Sequence, residues 1–306
     1  MCFEHRPGLK LPWVGMARTL YGGGVTMPGT AWTCPSCNLD VSTPYCPGCG
    51  ERPLREHELT LRGFIDQLVQ AFTNIDGRLL RSFRYLTTRP GFLTVAFLQG
   101  RRKAYLGPIQ VFLLANVLFF AAESISGGQI FTTPLEFHLT NQPWSPVAPR
   151  MVAAWLEATH RTLESYAPVF NRAMALHARS LIIFMALAFA LVPALVFHGA
   201  RRPTVTHGVF ALHTYAYLLL LFSIATCIPA VHQLLGGAGF ASEPLDHAIS
   251  IGILVACGIY LFISTGAVYG ARGASRVFQA LVLTLSVGAI VLAYRFALLV
   301  VTLYTT

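Results

Sequence analysis

The chain has 306 residues, 54% hydrophobic and only 11% charged, with 22 Lys/Arg against 13 Asp/Glu for a formal net charge of +9. A mean hydropathy of +0.57 with so few charges excludes an ordinary soluble enzyme domain, where about a quarter of residues are charged, and leaves an integral membrane protein. Residues 1–105 hold thirteen Lys/Arg and seven Asp/Glu, a basic skirt that suits anionic lipid headgroups. Nucleic acid is not expected as a partner, because the charges interleave with apolar helix faces and not with a base-stacking platform.

Residues 1–30 contain Pro7, Pro12 and Gly22-Gly23-Gly24 and no apolar signal core, so they read as a disordered leader, with Met27 as an alternative start. Cys34-Pro35-Ser36-Cys37 and Cys46-Pro47-Gly48-Cys49 follow. Two such turns complete an all-cysteine tetrahedral shell, and residues 31–53 are expected to form a zinc ribbon with one structural Zn held by Cys34, Cys37, Cys46 and Cys49. A rubredoxin-like iron site and a redox dithiol are the rivals; c-type haem fails because Asn38 and Gly50 stand where His is required. A closed shell predicts a fold and a reducing compartment, the cytosol, and not a reaction.

Residues 57–103 read as amphipathic juxtamembrane helices. From Leu61, apolar residues recur at Phe64, Ile65, Leu68, Val69, Phe72 and Ile75, the helical period. A second helix starts at Asp76-Gly77, with Leu79, Leu80, Phe83 and Leu86 as one stripe, Arg78, Arg81 and Arg84 as another, and Pro90-Gly91 as its stop. Phe92–Leu98 is apolar again and runs into Arg101-Arg102-Lys103. Such helices lie in the interface, so Arg78, Arg81, Arg84, Arg101, Arg102 and Lys103 are expected to contact lipid headgroups.

Hydropathy then gives five spans at 106–122, 181–197, 209–230, 249–269 and 277–303, with an outer loop at 123–180 carrying an amphipathic helix from Arg150 to Leu176. Arg101-Arg102-Lys103, Arg201-Arg202 and Arg272 with Arg276 all fall on one side of this arrangement. The 232–248 connection holds Glu243 and Asp246 and no Lys or Arg. The positive-inside rule places the N-terminus in the cytoplasm and the C-terminus in the periplasm, in agreement with the cysteines. The fold class expected is an all-α membrane protein of about five transmembrane helices with a small N-terminal zinc ribbon and interfacial helices.

The order of Cys-x-x-Cys, Tyr45-Cys46-Pro47-Gly48-Cys49-Gly50, Asp76-Gly77-Arg78-Leu79-Leu80-Arg81-Ser82, Arg89-Pro90-Gly91 and Gly100-Arg101-Arg102-Lys103-Ala104-Tyr105 before Pro108 resembles a bacterial family of uncharacterised membrane proteins, domain of unknown function 3667. The likeness covers residues 34–125. It implies a zinc-ribbon head, an Arg-rich juxtamembrane segment, a few membrane helices and a bacterial inner membrane, and it brings no reaction with it.

Other features have plain readings beside functional ones. Arg295 is a candidate intramembrane functional residue or a snorkelling interfacial one, and Asn116 is a helix bridge or a substrate contact. Cys227 and Cys257 read as packing residues, and the histidines show no ligand spacing. Gly266-x-x-x-Gly270 is a candidate packing face. No catalytic residues are assigned. Two functions fit: a membrane adaptor or scaffold whose zinc head docks a cytoplasmic protein partner, and a transporter or lipid-handling protein with its site among the spans near Arg295, Asn116, His213 and helix breaks at Pro193 and Pro229.

Overall fold

A computed structural model describes residues 31–52, 77–200 and 202–306. The leader, the amphipathic helix expected from Leu61, the Asp76 cap and Arg201 lie outside the described residues. The described residues up to Leu79, together with Ala96–Gly107, form one compact unit; Leu80–Val95 and Pro108–Thr306 form a second.

In the first unit, β1 (Trp32–Thr33) and β2 (Asp40–Val41) pair antiparallel, Trp32 opposite Val41 and Thr33 opposite Asp40. Strands this short have too little ladder to stand alone. They carry a small buried nucleus of Cys34, Val41 and Cys46 with Trp32 packed against it.

Helices α1 (Arg78–Thr88) and α2 (Phe92–Leu98) are separated by Arg89-Pro90-Gly91. In α1, Ser82 and Leu86 are buried and Leu79 and Phe83 half-buried, whereas Leu80 is 76% exposed. The expected stripe therefore loses Leu80: at about 100° per residue, positions 79, 82, 83 and 86 share a face, and Leu80 falls with Arg84 and Thr88. Gly91 has φ +83, and a Cβ there would stand 3.0 Å from Ser264 Cα and Ala267 Cβ. Just beyond it, the buried Thr94 Oγ1 is 2.9 Å from the His213 Nδ1. Glycine thus lets the turn close onto the membrane helices and seats the start of α2 among them.

α3 (Pro108–Ser126) is the first helix long and apolar enough to cross a bilayer. The short α4 (Leu135–Thr140) and α5 (Ala148–Thr159) follow, then α6 (Leu163–Leu181) and α7 (Ile183–Val196). The single helix expected from Arg150 to Leu176 is split because His160 takes a left-handed φ of 53 that ends α5, and Thr162 with Ser165 forms a capping box that starts α6. The segment read as a span at 181–197 is largely α7, whose 14 residues fall short of the roughly 20 needed to cross. It qualifies only together with α6, to which it joins at a 43° bend.

With α8 (Thr204–Leu234), α9 (Glu243–Tyr269) and α10 (Gly273–Thr305), the described residues hold four helices long and apolar enough to cross a membrane, or five spans if the bent pair is one. Pro193 and Pro229 lie inside α7 and α8 without ending them. α6 runs beside the C-terminal half of α10, with Tyr294 Oη donating to the Ala178 carbonyl at 2.7 Å, His177 Nδ1 2.9 Å from Thr302 Oγ1, and Tyr166 Oη 2.6 Å from Thr306 Oγ1. Phe131 fills the space under that end, edge-on to Phe119, Phe222 and Tyr294.

The loops separate into two ends. At one, Phe197 stacks on Tyr269 at 3.9 Å and His207 Nδ1 lies 3.0 Å from the Tyr269 hydroxyl, which brings the chain around Arg202 and Arg272 together. Arg276 donates to the carbonyls of Phe262 (2.7 Å) and Ile263 (3.3 Å) with its guanidinium in the notch over Gly266. Gly270 is the left-handed cap of α9 at φ 71, so the two glycines make an arginine seat and a helix stop, not a packing face. At the other end, Arg161 donates to the Thr306 carbonyl at 3.2 Å.

Candidate metal centre

Cys34-Pro35-Ser36-Cys37-Asn38-Leu39 and Cys46-Pro47-Gly48-Cys49-Gly50-Glu51 fold as two copies of one turn. In each, the N–H of the first cysteine donates to the carbonyl five residues on: Cys34 to Leu39 at 2.9 Å, Cys46 to Glu51 at 2.6 Å. In each, the residue after the second cysteine donates back to the first, Asn38 to Cys34 at 2.8 Å and Gly50 to Cys46 at 2.6 Å. These residues take φ of 57 and 69, the left-handed region that Asn and Gly tolerate best.

Facing each other, the turns bring Cys34 Sγ to 3.4 Å from Cys49 Sγ and Cys37 Sγ to 3.4 Å from Cys46 Sγ. All four sulfurs lie within 4.8 Å of one another. The thiols are free; a disulfide would need about 2.0 Å. A tetrahedral ion with sulfurs at about 2.3 Å holds its ligands about 3.8 Å apart, so the four sulfurs could close around one metal. Cys34 and Cys46 are buried, Cys37 and Cys49 exposed.

Burial pushes the Cys49 thiol up to about 12. Cys37 also lies above the ordinary thiol value: the Leu39 N–H opposes the rise, but the Cys46 thiol and burial outweigh it. At Cys46 burial is itself outweighed by the Cys49 and Gly48 N–H groups and the Cys37 thiol, which bring it to about 7. At neutral pH, Cys37 and Cys49 therefore hold protons that a thiolate-bound metal must expel. Apparent metal affinity is expected to fall at least about 100-fold per pH unit of acidification, the signature of two or more released protons. Competition titrations with a chromophoric chelator between pH 6 and 8 measure that slope.

Of the basic residues, Arg81, Arg84 and Lys103 are exposed and Arg78, Arg101 and Arg102 half-buried; Arg102 lies 4.8 Å over the Phe97 ring. Asn116 Oδ1 is buried with no hydrogen-bond partner among the described residues, so that oxygen makes no helix bridge. Arg295 Nη2 donates to Thr133 Oγ1 at 3.3 Å.

Two polar side chains, Glu51 and Glu123, escaped the sequence reading, and a third, His138, was passed over for want of ligand spacing. Glu51, 2% exposed, accepts Ser36 Oγ–H at 2.8 Å, tying the second turn to the first; its only signal was its place at the end of the repeat. Glu123, 4% exposed, accepts the Phe131 N–H at 3.2 Å, and lies one residue beyond where the charge-free run stops. His138 is 1% exposed, with Nδ1 accepting from Trp144 Nε1 at 3.3 Å. Burial first, then the Arg295 charge, lowers His138 to about 4 and keeps its ring neutral.

The fold and its cysteines define a multi-pass helical membrane protein with a small four-cysteine module. A family model described as a protein of unknown function (DUF3667) matches residues 76–120, the stretch of α1, α2 and most of α3, and supports the resemblance read from the motifs. No curated protein and no solved structure matches the chain.

Proposed function

We propose that this protein is a zinc-bearing adaptor or scaffold at the cytoplasmic face of a bacterial inner membrane. The observation that carries the reading is the closed set of four free thiols within 4.8 Å. Cys34, Cys37, Cys46 and Cys49 would hold one zinc ion, which supplies folding energy and a rigid surface and leaves no open position for a reaction. Cytoplasmic placement follows from the need for reduced thiols and from the gathering of Arg202, Arg272 and Arg276 at one end of the spans. With the bent α6–α7 pair taken as one span, the count is five and the C-terminus is then periplasmic. Leu80, exposed beside Arg81 and Arg84, suits an interface where leucine enters the acyl boundary and the arginines, with Arg78, Arg101, Arg102 and Lys103, meet anionic headgroups. The docked partner is a cytoplasmic protein.

A second reading, transport or lipid handling, is favoured by Asn116 Oδ1 and Arg295 Nε, each buried without a partner among the described residues. In-cell crosslinking separates the two. The adaptor reading expects partner adducts to vanish in Cys46→Ser and survive in Arg295→Ala. Adducts and phenotype that persist in Cys46→Ser but fail in Arg295→Ala would replace it with the transport reading.

A further inference from the structure

Three segments of the first unit meet on Glu51. Its carbonyl takes the Cys46 N–H at 2.6 Å; its Oε2 takes the Ser36 hydroxyl at 2.8 Å and the Lys103 backbone N–H at 3.4 Å. The Lys103 side chain closes the same corner: a Cβ on Gly50 would stand 2.6 Å from Lys103 Nζ. Turn chemistry alone does not call for an acid here. The equivalent position in the first turn is Leu39, 45% exposed, whereas Glu51 is 2% exposed. A buried carboxylate is tolerated only where donors surround it. Glu51 draws these donors from the first cysteine turn and from the chain five residues ahead of the first span at Pro108.

We propose that Glu51 is a positioning residue that couples the metal centre to the basic segment Arg101-Arg102-Lys103. With metal on the cysteines, the two turns are locked against each other and present the Glu51 carboxylate to Lys103. Without metal the turns part, and the segment loses its anchor. The idea rests on the metal reading above and adds regulation to it. Coupling of this kind is reciprocal: an anionic lipid surface that holds the basic segment in place also slows metal loss.

The test uses full-length protein in nanodiscs of anionic lipid, with hydrogen exchange of residues 101–107 followed before and after chelation. In the wild type, chelation should speed exchange there at least about ten-fold. Glu51→Ala, and Lys103→Pro, which removes the amide donor together with the lysine side chain, should each keep about one metal per chain yet exchange fast in both states. Should Glu51→Ala fail to hold metal, Lys103→Pro decides alone. Metal loss from the wild type with no change at 101–107, or wild-type behaviour of Lys103→Pro, overturns the coupling. A wild-type protein that takes up no metal overturns the metal reading itself, a separate failure.

Discussion

Replacing Cys34 or Cys46 by serine is expected to unfold residues 32–51 while leaving the membrane helices folded. Among the described residues the module rests on two strands of two residues each, the Glu51 hydrogen bonds and a buried nucleus of Cys34, Val41 and Cys46, two of which are the proposed ligands themselves. Structural zinc supplies roughly 10–16 kcal/mol of apparent binding free energy at neutral pH, far more than this nucleus can. Serine removes a thiolate and leaves three sulfurs that cannot close a tetrahedron. Hydrogen exchange should show residues 32–51 at unprotected rates in the variant. The spans keep their protection, because Leu80–Val95 and Pro108–Thr306 form a compact unit that does not include Cys34, Cys37, Cys46 or Cys49. Retained protection at Trp32 to Glu51 in the variant would mean that the turns stand without metal.

Gly91→Val should be the most damaging single change in the matched segment. Two costs add. An L-residue at φ +83 is strained by about 1–2 kcal/mol. Its Cβ would also press on Ser264 Cα at 3.0 Å and Ser264 O at 3.1 Å, backbone atoms that cannot rotate away, for about 1–3 kcal/mol more. Relief requires the turn to lift, which pulls Thr94 from His213, a buried pair 2.9 Å apart. We expect a loss of about 2–5 kcal/mol, read as a lower Tm of the detergent-solubilised protein. Gly127→Val is the control: its φ is +74 but nothing lies within 4 Å of an added Cβ, so only the backbone strain applies. Equal losses at the two positions would show that Gly91 is not a docking contact.

The spans were legible in the sequence because uninterrupted apolar runs have few other solutions, and α3, α8, α9 and α10 lie where those runs are. Of the α6–α7 element only the second half was, as the apolar run at 181–197. Asn171, Arg172, His177 and Arg179 make its first half look like a surface helix, yet Tyr166, Phe170, Met174 and Ala178 give it a buried edge beside α10. Hydropathy averages over such a helix and sees only its wet side. The cysteine spacing announced the four-thiol cluster because two short turns with thiols at fixed offsets are the geometry of the site itself. Glu51 stayed hidden for the opposite reason: it is defined by donors 15 and 52 positions away, and no local pattern records them. Leu80 shows a finer limit, since a stripe drawn by composition admitted a residue that the helical angle excludes.

Elemental analysis of the wild-type protein, purified from membranes in detergent without added metal, tests the central claim most directly. About one zinc per chain, absent from Cys46→Ser, is the result expected of the closed four-thiolate shell. Iron in its place, or metal-free protein with Cys34 and Cys49 joined as a disulfide, would contradict it.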